Sequence, residues 1–367
     1  MQNPWPTLAP HRMKLAAAAV LLAIVAIIFL GRPPSHQENP LLESPVIALQ
    51  TLQAKSLYFN GVARPWLVSQ RPDLLTDADR SDSSDAAHAF SQAVLNPNLF
   101  RQLFRQYHFD ALLFTGDPSQ YRPLLDHLIT TKDWKLSYAD HTSLVFRRDL
   151  EKPWQISDLD PVRAKFANAP SHDRAIFLAQ TGVKLVAARE LDAAKLVLDE
   201  AQQLDDHLPD VWNGMANYHM AKSEWRDAFS EVDRALHIDG NFLPAVATKT
   251  QLLYGSKRYS EACDLSRELI TKLPDDPNLL FYHAKIAHEA HAYKEEIDAL
   301  LKLISRAQAE NQPVSGYQIY LAQAYAKTGD AGRSMDQFFL ALEDPDLSDE
   351  QRSYVEESIV RIKKKGD

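Results

Sequence analysis

Small and apolar positions in the carboxy-terminal half follow a helical spacing that itself recurs at a fixed interval. Ala194, Ala228 and Ala262 are separated by one constant interval, and Ala201 and Ala235 are separated by the same interval. A fixed period of about 34 residues is typical of stacked helical hairpins rather than of a closed catalytic core. We interpret each small residue as the place where two helices of one hairpin come too close for a longer side chain.

The residues around these alanines carry a resemblance to tetratricopeptide repeats (TPRs). The first repeat has, at the signature positions, Leu178, Gly182, Leu185, Ala194, Leu198 and Ala201. The second has Trp212, Ala216, Ala228, Val232 and Ala235, and the fifth has Ala322, Tyr325, Ser334, Phe338 and Ala341. The fourth departs from the pattern, because Glu296 stands where a small residue is expected. The resemblance implies a mainly α-helical solenoid of about five hairpins over residues 172–367.

A further helix is predicted to close the array. Ser348 followed by Gln351 is typical of a capping box, in which two side chains satisfy free backbone groups at a helix start. Lys363, Lys364 and Lys365 lie in its last turn, where the helix dipole favours cations. We therefore interpret this segment as a capping helix with a solvated end, and residues 151–171 as a connector before the repeats.

The amino-terminal segment carries the prediction of localisation. Residues 15–31 form an uncharged apolar run, preceded by Arg12 and Lys14. As a helix the run is roughly 26 Å long, enough to cross a bilayer core. Ile27, Ile28, Phe29 and Leu30 stand where a cleaved signal peptide needs small residues, so we favour an uncleaved signal anchor over a cleaved signal.

The flanking charges predict the orientation of this anchor. The basic residues on the short leading side place residues 1–14 in the cytoplasm and the remaining chain outside it. Residues 32–45, rich in Pro and polar side chains, are predicted to be a linker. We expect a single-pass protein of the inner membrane whose bulk is periplasmic.

Residues 46–150 follow the mixed pattern of a small α/β domain. Helices are predicted from about residue 46, over residues 98–107 and over residues 121–130, and a buried strand over residues 111–114. Alternating segments around the turn at residues 139–142 predict a hairpin of strands. We also predict a short strand at Trp66-Leu67-Val68 and a loop in the Asp- and Ser-rich residues 76–85.

The tail of this domain resembles a second family. The residues that carry the resemblance are Tyr107, His108, Phe109, Asp110, Trp134, Tyr138, Asp140, Phe146, Arg147 and Arg148. Their order looks like the soluble module that follows the membrane spans of bacterial glycosyltransferases acting on lipid-linked sugars. The catalytic residues of those enzymes lie among membrane spans that this chain lacks, so the resemblance implies an envelope context and no activity.

Composition and motifs argue against several functions. A net charge of -9 disfavours nucleic acid, because phosphate contacts need clustered Lys and Arg. The chain has neither a Gly-rich phosphate loop nor a nucleophile elbow. We expect no enzyme and no cofactor. A hydrolase built on His108, His127 or His141 is a weaker alternative, resting on residue type alone.

The chain also offers few candidates for a metal site, and we expect none. The spacing of His288 and His291 is one residue shorter than the pair on a zincin helix needs, and no third ligand is in register. We interpret the acidic group Asp77, Asp79, Asp82 and Asp85 as a solvated loop. Cys263 is the single cysteine, which excludes an internal disulfide, and we expect it to be a small buried apolar residue rather than a zinc ligand.

What remains is a binding surface. In TPR proteins the first helix of each hairpin lines a groove that holds peptide segments. The equivalent positions here are Asn213, Asn217, Gln251, Tyr254, Lys285, His288, Gln323 and Lys327. We predict a membrane-anchored, non-catalytic TPR scaffold that binds proteins or peptides in the bacterial envelope. The alternative is an accessory protein of a polysaccharide or lipid-linked-sugar pathway, with a middle domain that contacts glycan.

Overall fold

The structure is a computed structural model that divides into two compact units. It describes residues 45–52, 54–60, 63–75, 93–94, 96–116, 118–148, 154–274, 276–309, 313–345 and 347–366. Unit 1 is the part up to Leu252 and unit 2 the part from Leu253. The predicted anchor (15–31), the leading residues 1–14, all but the last residue of the linker and the loop at residues 76–85 lie outside the described residues. Among the described residues, no helix combines the length and the apolar composition needed to cross a membrane.

Unit 1 begins with an α/β part built on one sheet. Its described strands are β1 Leu57–Phe59, β2 Ala111–Thr115, β3 Lys135–Ala139 and β4 Ser143–Arg147, in the spatial order β1-β2-β4-β3. Strand β1 is parallel to β2, whereas β4 is antiparallel to both β2 and β3. The predicted strand at residues 111–114 and the predicted hairpin are therefore confirmed.

The side chains on the two faces of this sheet pack into two different apolar clusters. Successive side chains of a strand point to opposite faces. Accordingly Leu112 and Phe114 of β2 belong to one apolar cluster, whereas Ala111 and Leu113 belong to another. Every residue of β2 is buried, which explains why its sequence is mostly apolar instead of alternating.

Helices precede, connect and follow the strands of this sheet in the sequence. They are α1 Val46–Thr51, α2 Arg64–Gln70, α3 Pro97–Tyr107, α4 Arg122–Thr131 and α5 Asp160–Lys165, with short 3₁₀ helices at Pro72–Leu74, Pro118–Tyr121 and Ile156–Leu159. The start of α3 follows from its sequence, because Asn96 accepts hydrogen bonds from the backbone N–H groups of Asn98 and Leu99, and Pro97 fits the first turn. The helices predicted from residue 46, over residues 98–107 and over residues 121–130 are confirmed.

The predicted strand at Trp66-Leu67-Val68 is wrong. These residues lie in α2, where Leu67 is fully buried while Trp66 and Val68 are exposed. So short a segment with one buried side chain fits a strand and a helix equally well. Pro65 in the first turn favours the helix. Proline has no backbone N–H group, and in the first turn of a helix that group would have no hydrogen-bond partner within the helix.

Helical pairs follow from residue 171 onward, as the period of the small residues predicts. Their bounds are α6 Ser171–Ala187, α7 Leu191–Leu204, α8 Pro209–Ala221, α9 Trp225–Ile238, α10 Leu243–Gly255, α11 Tyr259–Lys272, α12 Pro277–Glu289, α13 Tyr293–Ala309, α14 Ser315–Lys327, α15 Ala331–Leu342 and α16 Asp349–Gly366. Helices α7, α9, α11 and α13 begin at Leu191, Trp225, Tyr259 and Tyr293, which are evenly spaced along the chain. The mainly helical fold with a small sheet is thus confirmed.

The small residues lie where the helices pack most closely. Ala194, Ala228 and Ala262 are fully buried. A Cβ atom placed on Gly182 would lie 2.6 Å from Leu198 Cγ, and one on Gly214 would lie 2.5 Å from Leu198 Cδ2. Leu198 of α7 therefore fills the space that two glycines of α6 and α8 leave open, and neither glycine has room for a side chain without a shift of that leucine.

The α/β part and the first hairpins share one core. The cluster on one face of the sheet continues into α5, α6, α7 and α8 without a break. His141, in the turn between β3 and β4, lies with its ring 5.6 Å from that of Phe166 and 5.2 Å from that of Phe177. The two compact units divide at Leu252, inside the repeat array, and the domain boundaries predicted near residues 150 and 172 stay predictions.

The capping box of the last helix has the expected geometry. Ser348 Oγ accepts from the backbone N–H of Gln351 at 3.2 Å, and Gln351 Oε1 accepts from the backbone N–H of Ser348 at the same distance. On the inner side of α16, Val355 and Ile359 are buried against α14 and α15 residues such as Ala322 and Phe338. This helix covers the apolar face of the last hairpin.

The turns inside the hairpins repeat one backbone conformation. Arg189, Ser223, Lys257 and His291, which recur at the repeat interval, have φ angles of 60 to 66°. The equivalent residue of the fifth hairpin is Gly329, with φ of 85°. A residue with a Cβ atom is destabilised by about 1–2 kcal/mol in this left-handed region. The first four hairpins therefore have a strained residue at this turn position, whereas the fifth has a glycine, which is not strained there.

This strain gives a test of the repeat geometry. We expect Ser223→Gly to raise the free energy of unfolding by about 0.5–1 kcal/mol, because glycine adopts the left-handed conformation without steric cost. The same replacement at Ser230, an exposed position inside α9, should lower it by about 0.5 kcal/mol. Urea denaturation of the two variants measures both, and equal effects of the two replacements would refute the proposed turn conformation.

Candidate peptide-binding surface

The predicted groove residues of unit 1 form a buried row of polar side chains. Asn213 and Asn217 of α8 are 2% and 4% exposed, and Gln251 of α10 is fully buried. Asn217 Nδ2 donates to the backbone oxygen of Asn213 at 2.8 Å and lies 3.5 Å from Thr248 Oγ1. The amide of Asn217 therefore ties α8 to α10 instead of standing free at a surface.

Two amides of this row keep unused hydrogen-bonding capacity. Asn213 Oδ1 and both amide atoms of Gln251 are buried without a hydrogen-bond partner among the described residues. A buried polar group left unpaired costs about 1–3 kcal/mol, so such groups mark places that a ligand or a rearrangement satisfies. Their role in binding stays a prediction.

The groove residues of unit 2 divide into buried and accessible ones. Tyr254 is half-buried, with its ring 5.4 Å from that of Tyr259. Lys285 is half-buried on α12, and burial lowers the pKa of its ammonium group, partly opposed by Glu289. On α14, Gln323 donates to the hydroxyl of Tyr354 at 2.8 Å, and Lys327 is exposed.

His288 is engaged inside unit 2. It is 6% exposed, and its Nδ1 lies 3.0 and 3.1 Å from the two carboxylate oxygens of Glu296, which is itself 2% exposed. Burial raises the pKa of Glu296, while His288 pulls it down. This pair explains why the fourth repeat departs from the pattern: Glu296 occupies the small-residue position because the facing residue is a histidine that needs a polar partner.

The His288–Glu296 pair also bears on the spacing of His288 and His291, which was considered above as a metal motif. His291, in the turn after α12, is exposed and hydrogen-bonded through Nδ1 to the hydroxyl of Tyr293 at 2.8 Å. His288 meanwhile directs Nδ1 at Glu296. The two histidines therefore bond to different groups.

A cluster of three aromatic residues near Lys285 was not predicted from the sequence. We call Phe281, Tyr317 and Tyr320 the aromatic patch. The ring of Phe281 on α12 lies 5.6 Å from that of Tyr317 and 5.4 Å from that of Tyr320, both on α14, in edge-to-face arrangements. All three residues are half-buried, and each packs with one side on the core of unit 2. The signal for it was the pair of tyrosines one turn apart on one helix face.

The patch and Lys285 together make an amphipathic surface. Lys285 Nζ lies 5.9 Å from the centre of the Phe281 ring, within the range of a cation–π contact. Burial raises the pKa of both Tyr317 and Tyr320, so their hydroxyls remain protonated donors. Aromatic faces, hydroxyl donors and one cation are the groups that hold apolar and acidic side chains of a bound chain.

The histidines of the hydrolase alternative lie on separate elements. His108 is exposed at the end of α3, and His127 is half-buried on α4, where burial lowers its pKa. His141 is buried, with its ring edge-to-face against the stacked rings of Phe166 and Phe177. None of these surroundings favours a nucleophile and base pair over an ordinary structural histidine.

Comparison with known proteins finds similarity only at the level of structure. No protein-family profile and no curated protein matches the chain. Among solved structures, it is similar to MamA (residues 41 to the end) from Desulfovibrio magneticus RS-1, with 16% identity over 47% of this chain and 94% of that one and a TM-score of 0.40. It is also similar to YrrB, described as a TPR protein with an unusual peptide-binding site, with 15% identity over 50% and 92% of the two chains and a TM-score of 0.41.

A third similar structure is that of PilF from Pseudomonas aeruginosa, with 18% identity over 47% of this chain and 77% of that one and a TM-score of 0.40. The helical hairpins themselves follow from this chain's own helix bounds and their even spacing. The resemblance of the tail of the α/β part to a glycosyltransferase module gains no support from these proteins and stays a hypothesis.

The His288–Glu296 pair gives a test of the fourth hairpin. Glu296→Ala should lower the free energy of unfolding by about 3 kcal/mol, because it removes the carboxylate that is paired with a buried histidine. Adding His288→Met recreates the residues of the second hairpin, where Met220 and Ala228 stand at the equivalent positions two repeats earlier. We expect the double variant to recover to within about 1 kcal/mol of wild type.

Urea denaturation of both variants and of His288→Met gives the coupling energy of the pair. The control Glu356→Ala, at an exposed position of α16, should change stability by no more than about 0.5 kcal/mol. Additive effects of the two replacements would show that the two side chains do not interact.

Proposed function

We propose that the helical hairpins bind an extended segment of another protein and that the chain acts as a non-catalytic scaffold. The observation that carries the proposal is the aromatic patch beside Lys285 on the first helices of the fourth and fifth hairpins. Half-exposed aromatic rings have large contact areas and lose little side-chain entropy on binding, which makes them frequent anchors of interfaces.

The chemistry of the surface defines the bound segment. The aromatic patch suits an apolar side chain of the segment, and Lys285 suits a carboxylate close to it. Since burial lowers the pKa of Lys285, an acidic neighbour that stabilises the charged form has more to contribute there than beside a solvated lysine. The ligand we propose is thus an extended peptide that presents an apolar and an acidic residue to these helices.

The proposal is tested by selecting peptides from a displayed random library on the full-length chain. We expect the enriched peptides to share an apolar residue near an acidic one. Tyr317→Ala with Tyr320→Ala should weaken their binding at least tenfold, because the variant loses two aromatic anchors. Fluorescence anisotropy with a selected peptide measures the change.

The matched control is Phe339→Ala, an exposed aromatic residue on the second helix of the fifth hairpin, 48% exposed. This variant should bind the peptide as wild type does. Equal affinity of the wild type and the double tyrosine variant, at unchanged thermal stability, would rule out the aromatic patch as the binding surface.

The predicted anchor extends the proposal to the cell envelope. Residues 15–31 are apolar and uncharged, and Arg12 and Lys14 precede them. These features support a single-pass protein of the inner membrane with its hairpins on the periplasmic side. In this arrangement the scaffold recruits its partner to the membrane.

Alkaline extraction of membranes from a bacterial host tests the anchor. Wild type should stay with the membrane pellet, and protease added to spheroplasts should digest the hairpins. Leu22→Arg with Val25→Arg should release the chain into the soluble fraction, since a charge at the centre of a membrane helix costs about 2.5–3.5 kcal/mol. Gln37→Arg, a change of the same charge in the predicted linker, should leave it in the pellet. A soluble wild-type chain would contradict the anchor.

A further inference from the structure

Three potential metal ligands from consecutive helices meet inside unit 2. They are Cys263 of α11, His283 of α12 and Glu295 in the first turn of α13. Their ligand atoms all lie within 4.8 Å of one another. Cys263 and His283 are 3% and 2% exposed, so the group is an interior feature with Glu295 on its solvent side.

The two distances from Glu295 to the other ligands are close to those in a tetrahedral zinc site. Glu295 Oε2 lies 3.4 Å from His283 Nε2 and 3.8 Å from Cys263 Sγ. Metal bonds of ~2.0–2.1 Å to nitrogen and oxygen and ~2.3 Å to sulfur give tetrahedral edges of roughly 3.3 Å and roughly 3.5 Å for the same atom pairs. The two distances from Glu295 are therefore within a few tenths of an ångström of the tetrahedral edges, and Cys263 Sγ lies within 4.8 Å of the ligand nitrogen of His283.

Ser266 fixes the tautomer of His283. The serine hydroxyl has one proton, which it donates to the carbonyl oxygen of Cys263 at 2.9 Å, because a carbonyl can only accept. The 2.8 Å hydrogen bond between Ser266 Oγ and His283 Nδ1 then has the imidazole as donor. In the neutral ring with its proton on Nδ1, Nε2 carries a lone pair, as in metal-bound histidines whose other nitrogen is held by an outer partner.

That lone pair faces another acceptor. Nε2 without a proton and a carboxylate oxygen 3.4 Å away are both electron-pair donors. A cation between them, bonded also to Cys263 Sγ, turns this unfavourable contact into two bonds.

The charges around the group permit such a cation. Arg267 donates to both oxygens of Glu295 at 2.9 Å and also to Asp264 at 2.9 Å. A carboxylate has about four lone-pair directions, so Glu295 Oε2 can accept from Arg267 and still bind a metal ion. One thiolate and one carboxylate neutralise a divalent ion, and Asp264 offsets the charge of Arg267.

We propose that Cys263, His283 and Glu295 bind a divalent transition-metal ion of the zinc class, with Ser266 as the positioning residue of His283. On binding, the S–H bond of Cys263 breaks, its proton leaves to solvent, and the sulfur bonds to the ion. Because the bound form of the ligand is the thiolate, metal binding releases this proton and the affinity depends on pH. The ion joins α11, α12 and α13, and three protein ligands leave its fourth position to solvent or a partner.

A second group of possible ligands is a weaker candidate for a metal site in its burial, its existing ion pairs and its ligand types. His219, Glu224 and Asp227 also have ligand atoms within 4.8 Å of one another. Asp227 is exposed, and Glu224 is already paired with Lys222 at 2.7 Å and with His219 at 2.8 Å. It has neither a thiol nor a buried carboxylate, and ordinary surface ion pairs account for it.

The test titrates the purified, metal-free full-length chain with Co²⁺. We expect one ion per chain, with the visible bands of tetrahedral Co²⁺ and a near-ultraviolet band for charge transfer from thiolate, both lost when Zn²⁺ displaces the cobalt. Cys263→Ser should abolish the thiolate band. His283→Gln and Glu295→Gln should each weaken binding at least tenfold, and Ser266→Ala should weaken it about 10- to 100-fold through loss of the tautomer control.

His291→Gln is the matched control, because His291 is an exposed histidine of the same unit, and it should bind as wild type does. Circular dichroism establishes that each variant is folded. Ser266→Ala and Cys263→Ser change side-chain size least, so they keep the test valid if His283→Gln does not fold. Absence of Co²⁺ binding in wild type, binding without a thiolate band, or unchanged affinity in folded Ser266→Ala and Cys263→Ser would overturn the proposal.

Discussion

The close approach of paired helices is the constraint on which the repeat array depends. Leu198 can sit between α6 and α8 only because Gly182 and Gly214 carry no side chain toward it. The buried alanines at positions 194, 228 and 262 satisfy the same constraint in successive hairpins. Since an interior packed to this density has no spare volume, the constraint recurs from hairpin to hairpin and produces the fixed period of the sequence.

Where a repeat breaks this rule, the facing position changes with it. Glu296 replaces the small residue of the fourth hairpin, and His288 stands opposite, so a polar pair fills the space that apolar packing fills elsewhere. In the fifth hairpin the small residue is Ser334, and its hydroxyl donates to the backbone oxygen of Ala322 at 2.7 Å. These buried polar groups are tolerated because each has a hydrogen-bond partner. The same hydrogen bonds restrict the side chains to one arrangement.

The two sites proposed for unit 2 share helix α12. This helix carries Phe281 and Lys285 of the peptide surface and His283 of the proposed metal site. An ion that holds α12 against α11 and α13 also fixes one side of the aromatic patch, whose other side belongs to α14. Rigidity of this kind lowers the entropy lost when a peptide binds, so the two proposals together link metal content to peptide affinity through one helix.

The sequence by itself determined the helical array, the last capping box and most elements of the α/β part, because these depend on side-chain spacing and on local backbone groups. Tertiary structure decided the rest. Trp66-Leu67-Val68 became a helix, since so short a segment holds too little periodicity to distinguish the two forms. Asn213, Asn217 and Gln251 belong to the predicted first-helix positions, yet packing of neighbouring helices buries them. Cys263, His283 and Glu295 come from three separate helices and belong to no local motif, so only the folding of those helices against one another brings their ligand atoms together.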